Sequence, residues 1–317
     1  MRLRHPVRFV LVPAVALMIL SVGALATSIG STQALAATGQ STSPAVQQLL
    51  IGETNGYTFP QDIDSYTAIA GALPHFVMWF QSWHEPLFYS GQQRGIDARN
   101  VTPIITWSPG SDFSMSRMVA GAYDSYITAQ AKLAKSWKRP IFIRPFHEMN
   151  GTWVSYGPDK VSSQTFVAGW RHVVDIFRRL GVSNVTWVWS PNVYGSAPNQ
   201  KSRAFDSLYP GNAYVDWVGL DGYNYGHPWM SWASLYSSSY ADLAALSPKP
   251  MMVAEWGSTA TGGDEAAWIR DAFLTEIPTD MPRIRAAVSF DRVAESDFRI
   301  NSSTAVLAAY RAVIARK

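Results

Sequence analysis

The chain has 317 residues, 47% of them hydrophobic, with 26 lysines and arginines against 23 acids. It has no cysteine, which excludes disulfides and thiolate metal sites. The excess of +3 is accounted for by Arg2, Arg4 and Arg8, so residues 37–317 are neutral overall and their charge favours neither nucleic acid nor anionic lipid.

Those three arginines precede a run, Phe9 to Ala26, that is apolar almost throughout. Ala34-Leu35-Ala36 supplies a small-x-small cleavage site, with Ala24-Leu25-Ala26 as a second candidate. Residues 1–36 are therefore expected to be a secretory signal peptide. The competing reading is an uncleaved anchor. Residues 37–44 form a short polar leader. The remainder suits one large domain, 45–317, and must be stabilised by its core.

Short strand-like runs then recur: Leu49–Gly52, Phe76–Phe80, Val101–Trp107, Ile141–Arg144, Val185–Trp189, Trp217–Leu220, Met251–Ala254 and Ala286–Phe290. Helical spacing fills the intervals. It is clearest at Thr165–Leu180, where Phe166, Trp170, Val173, Val174 and Phe177 form one stripe and Gly181 follows as a stop. Ser116–Trp137, Ser231–Leu246, Asp264–Ile277 and Thr304–Ala315 follow the same pattern, and Lys201–Leu208 does so weakly. This alternation predicts an α/β fold, a single-domain (β/α)₈ barrel, because no glycine-rich phosphate loop follows the first strand as a doubly wound sheet would have it.

A barrel builds its active site at the C-terminal ends of its strands. The fourth strand ends in Arg144-Pro-Phe-His147-Glu148-Met-Asn150-Gly-Thr-Trp153, and the seventh in Glu255-Trp256-Gly257. Two glutamates at such tips are the parts needed to cleave a glycosidic bond. Either could instead be a structural partner of Arg144. His147-Glu148 is no zinc motif, since position 151 is Gly and the segment follows a strand. Trp153, beyond a glycine in a loop, suits a sugar platform, and the Tyr223 hydroxyl suits orienting Glu255. His84 suits either substrate contact or a structural role. Thirteen tryptophans and fourteen tyrosines agree with carbohydrate stacking, although many will be core.

The run RPFHEMNGTW from Arg144 to Trp153 resembles glycoside hydrolase family 26, which comprises β-mannanases with some β-1,3:1,4-glucanases and β-1,3-xylanases. VGLDGYN, from Val218 to Asn224, and Glu255-Trp-Gly257 are similar to the family's strand-six and strand-seven runs, and Trp83-His84 to its strand-two histidine. The resemblance implies Glu148 as acid/base with His147 beside it, Glu255 as nucleophile, and Tyr223 as the partner of the nucleophile. Arg144 and Tyr223 would keep Glu255 ionised. His84, His147, Trp153, Tyr223, Trp256, Phe298 and Arg299 would contact substrate. Phe298-Arg299 stands where many family mannanases carry Trp-Arg, a departure that bears on the substrate and not on the hydrolytic machinery.

The expected function is secreted, retaining hydrolysis of a β-linked polysaccharide, with endo-β-1,4-mannan first. A β-1,3:1,4-glucanase or β-xylanase of the same fold is the alternative, and a non-catalytic sugar-binding protein is the alternative of another class. No cofactor and no metal is required. The partner is a poly- or oligosaccharide, with no nucleic acid and no membrane after cleavage, and the chain is expected to be a monomer. N-terminal sequencing of secreted material should start at Ala37 or Thr27; Met1 on a membrane-bound product would show an anchor.

Overall fold

A computed structural model describes residues 49–54, 61–195 and 205–316. The expected signal peptide and leader, 1–44, lie outside the described residues. So does the first half, 201–204, of the weak helical segment at 201–208.

Eight strands appear in the expected order: β1 Leu50–Thr54, β2 Phe76–Ser82, β3 Thr102–Ser108, β4 Ile141–Pro145, β5 Val185–Trp189, β6 Trp217–Asn224, β7 Met251–Ser258 and β8 Ile284–Phe290. Each pairs in parallel with the next, and β8 pairs with β1, closing the barrel. The helices are α1 Gln61–Ala70, α2 Ser90–Arg99, α3 Met115–Val119, α4 Asp124–Trp137, α5 Ser163–Arg179, α6 Phe205–Leu208, α7 Trp232–Leu246, α8 Glu265–Asp271, α9 Ile277–Asp280 and α10 Thr304–Ala315. A π-helical turn, Ala272–Glu276, joins α8 to α9. The molecule is therefore a (β/α)₈ barrel.

Strand alternation divides the core in two. Phe76, Met78, Ile104, Val188, Met252, Ala254, Ala286 and Val288 fill the barrel interior. Their outward neighbours, including Val77, Trp79, Ile105, Trp107, Ile143, Trp189, Leu220 and Val253, join the larger layer under the helices. Small residues let large ones interdigitate inside: a Cβ on Gly219 would lie 2.7 Å from the Ser190 Cβ.

Helix starts follow capping chemistry. Ser162, Ser231, Asp264 and Ser303 each accept a hydrogen bond from the backbone N–H three residues on. The stretch expected as one helix from Ser116 to Trp137 is split into α3 and α4, because the chain turns at Gly121, whose φ is +84°. The helix expected at Asp264–Ile277 is interrupted by the π turn. Pro278 lacks the N–H that would close on Leu274, and the Leu274 carbonyl accepts from Arg316 Nη1 instead (2.7 Å). Helix α2 buries only Gly95 and Ile96, too few for a stripe to be visible.

Helix α5 is held through Trp170, fully buried among Phe146 and Phe166, with its indole N–H donating to the Tyr214 carbonyl (3.1 Å). Trp170→Ala should cost about 3–5 kcal/mol of stability, measured by urea unfolding; a loss under about 1 kcal/mol would show that the site collapses around the gap.

Candidate active site

The end of β4 is shaped by backbone rarely used by side-chain-bearing residues. Phe146 and Glu148 both have φ of +52°. Phe146 is buried in a cage of Trp83, Phe113, Tyr156, Phe166 and Trp170 rings, with centroids 5.4–6.3 Å away. The Glu148 N–H donates to the Ser190 carbonyl (2.9 Å), and its own carbonyl accepts from Gly151 (2.8 Å). Asn150, buried, exchanges two hydrogen bonds of 2.8 Å with the backbone of Asn192 at the tip of β5. The Glu148 carboxyl then accepts from the Asn192 amide at one oxygen and from the Trp153 indole at the other, both at 2.6 Å.

The opposite side depends on one extra residue. Leu220 of β6 pairs with Val253 of β7, but the next residue, Asp221, pairs with Glu255. Ala254 is thus a bulge, and it resets the alternation. Val253 faces the helices and Ala254 the interior, and the slip turns Glu255 inward beside Asp221. Arg144, reaching up from β4, is completely buried between the two carboxylates. Its Nη1 donates to both Asp221 oxygens (2.7 and 2.8 Å) and to Ser190 Oγ (3.1 Å), its Nε to Thr106 Oγ1 (3.0 Å), and its Nη2 to Glu255 Oε1. The Tyr223 hydroxyl donates to Glu255 Oε2.

The two glutamates are therefore electrostatically unlike. Burial, with the Glu255 charge beside it, raises the Glu148 pKa to about 7, against the Asn192 and Trp153 hydrogen bonds and Arg144, which pull it down. Glu255 accepts from a guanidinium and a phenol. Burial works against the charge on Arg144, but Asp221 and Glu255 overcome it and hold its pKa above the ordinary arginine value. Burial and the Glu255 charge push the Tyr223 phenol well up, so it stays a donor. Burial, and then Arg144, push His147 well below its ordinary value, leaving a neutral imidazole 3.4 Å from the Tyr156 hydroxyl.

Arg144, Glu148, Trp153, Tyr223 and Glu255 thus converge in one hydrogen-bonded cluster, with His147 adjoining. Beside it a cleft of about 600 Å³ opens between the β3 and β4 loops, lined by Ser108, Ser111, Ser114, His147, Trp153, Tyr156 and Lys160 among others. Its hydroxyl-rich wall and the exposed Trp153 ring suit a sugar chain. His84 stands apart from the carboxylates. It is exposed, pairs with Asp112 (3.1 Å), and lines a smaller adjoining hollow with Trp83, Phe113 and Tyr126. Arg299 is exposed and held in a two-point ion pair by Asp297 (2.6 and 2.8 Å).

Two expected contact residues are packing instead. Trp256 follows the bulge and so faces outward, buried against Trp268, Phe273 and Tyr310. Phe298 is 3% exposed and lies behind Tyr223 and Tyr225, with centroids 5.2 and 5.7 Å away. Both acids and the arginine lie on strands or at their tips, and among the described residues no group of three or more His, Cys, Asp or Glu is arranged to hold a metal.

The sequence pattern of Glycosyl hydrolase family 26 matches residues 53–291, three quarters of the chain. The chain belongs to glycosyl hydrolase family 26. Endoglucanase H of Acetivibrio thermocellus is 37% identical over 221 residues, 67% of this chain and 24% of that protein. Mannan endo-1,4-beta-mannosidase of Bifidobacterium adolescentis is 32% identical over 123 residues, 37% of this chain and 11% of that protein. The chain thus aligns with a quarter or less of the length of these two relatives. An endo-beta-1,4-mannanase structure from Cellulomonas fimi superposes with a TM-score of 0.63 at 20% identity, covering 84% of this chain and 70% of that one, which speaks to the fold.

Three members of this family 26 site escaped the sequence reading. Asn192 and Asp221 stand at strand tips, where the barrel rule looks for function, and the pairing of Asp221 with Arg144 needs the β6–β7 register. Thr106 carries no sequence signal beyond its place near the end of β3. A carbon-13 titration of the Glu148 carboxyl should have its midpoint near 7, and Glu255→Gln should lower it by removing the neighbouring charge. An ordinary carboxylate midpoint in the unsubstituted protein would contradict this geometry.

Proposed function

We propose that this protein is an exported, retaining β-glycoside hydrolase that cuts β-1,4-mannan within the chain. The observation that carries the reading is the pair of unlike carboxyls at β4 and β7: Glu148 lifted to about 7 and Glu255 bonded by Arg144 and Tyr223. Binding alone requires no such division. Family membership supports the hydrolase class, and the amino-terminal arginines and apolar run support export.

In the first step a Glu255 oxygen attacks the anomeric carbon, the bond to the leaving oxygen breaks, and the Glu148 proton passes to that oxygen. Forming the ester removes the Glu255 charge and so lowers the Glu148 pKa, which readies it as a base. It then takes a proton from water, whose oxygen attacks the same carbon and frees Glu255. Because the first step needs protonated Glu148, kcat/KM should fall as pH rises through about 7.

Mannan is favoured because mannan endo-1,4-beta-mannosidases recur among the relatives, from Bifidobacterium adolescentis, Caldalkalibacillus mannanilyticus and Bacillus subtilis. A β-glucan is the second reading. Endoglucanase H aligns over more of this chain than any of those three. Sugar release from mannan, galactomannan, glucomannan, lichenan, curdlan and xylan decides between them; much faster lichenan cleavage would leave the family and remove mannan. Lack of turnover on all, with binding retained, would leave a sugar-binding protein.

Glu255→Ala should abolish turnover. Glu148→Ala should be least impaired on substrates with good leaving groups, which need no proton, and azide should partly restore it. Inversion of product configuration by NMR, or near-normal activity in Glu255→Ala, would overturn the mechanism.

A further inference from the structure

We propose that Lys160 is a positioning residue for Glu148, acting through Trp153; the proposal rests on the hydrolase reading above. The Trp153 indole donates to Glu148 Oε2 at 2.6 Å, yet the ring is 43% exposed and has no core around it. It lies against Gly151, where a Cβ would come within 2.4 Å of it. An exposed side chain keeps a hydrogen bond to a half-buried acid only if its backbone is fixed.

The Lys160 ammonium does the fixing. It donates to the Thr152 carbonyl (3.0 Å) and to the Val154 carbonyl (2.9 Å), the peptide oxygens on either side of Trp153. Two turns return the chain to this point: Gly157 N–H donates to Val154, and Lys160 N–H to Gly157 (3.2 and 3.0 Å). One charged donor thus closes the segment 152–160 into a bracket. Hydrogen bonds from an ionised donor are the stronger kind. Loosening the bracket frees Trp153 from Glu148 for part of the time, and the carboxylate form then loses a donor.

The other groups facing Glu148 lie outside the bracket, namely Glu255 from β7, Arg144 and His147 from β4 and its loop, and Asp221, Tyr223 and Tyr225 from β6 and beyond, except Tyr156, whose hydroxyl is held separately by the His147 carbonyl (2.9 Å). Removing the Lys160 charge could itself raise the Glu148 midpoint, so the test is a cycle. The midpoint is read by carbon-13 titration, independently of turnover, and by the basic limb of kcat/KM. Trp153→Phe should move it up by about 0.5–1 unit, the equivalent of one net hydrogen bond. Lys160→Met should move it part of that way, and Lys160→Arg should restore it.

The double variant should match Trp153→Phe alone, because Lys160 has nothing to act through once the indole is gone. Additive shifts would show a through-space charge effect and overturn the proposal, as would an unmoved midpoint in Lys160→Met or in Trp153→Phe. If the unsubstituted protein cleaves no β-glycan, the hydrolase reading fails, and the titration cycle still decides the role of Lys160.

Discussion

One buried guanidinium organises this molecule. Among the described residues, Arg144 is the cation at the heart of a barrel mouth that holds three carboxyl groups, Glu148, Asp221 and Glu255. It binds two of them directly and leaves the third. Burial first, and then the charge of Glu255, raise the Glu148 pKa against the pull of Asn192, Trp153 and Arg144, so Glu148 keeps its proton to about pH 7. The difference between two chemically identical side chains therefore comes from burial and from which of them the guanidinium binds. Arg144 also reaches hydroxyls on β3 and β5, so the same group that sets the charges ties neighbouring strands together. A buried cation hydrogen-bonded through all three of its nitrogens has little freedom to move, which suits a site that must be arranged before its substrate arrives.

The acid on β4 is held in a different way. Its backbone is bent into the left-handed region twice within three residues, at Phe146 and Glu148, a conformation that costs energy and persists only where packing imposes it. The Phe146 cage supplies that packing. Much of the aromatic wealth of this chain sits under the β4 loop as a foundation, and Trp153 is the ring left showing.

The fold was legible because β strands and amphipathic helices leave different periods in a sequence, and eight alternations point to one architecture. Boundaries were less so. One helix broke where Gly121 turns with a positive φ, and another just before Pro278, which has no N–H to donate. At the site, Arg144, Glu148 and Glu255 were visible because charged groups ending apolar strands have few structural uses. Trp256 and Phe298 misled for a shared reason: whether a ring faces the groove or the helices depends on register and packing, which no local pattern records. Asn192 and Asp221 carry no local sign of a role, since each gains one only from a partner on another strand.

The bulge at Ala254 makes parity the quantity that matters in β7. Side chains along a strand behave like an alternating code, and the extra residue shifts its phase just before the last two symbols that count. Glu255 lands on the inner phase and Trp256 on the outer. Regular pairing of the same sequence, with Ala254 set opposite Asp221, would invert that assignment and present an indole where Arg144 awaits an anion. The identity of the β7 carboxylate is thus written as much in the count of residues before it as in the residue itself.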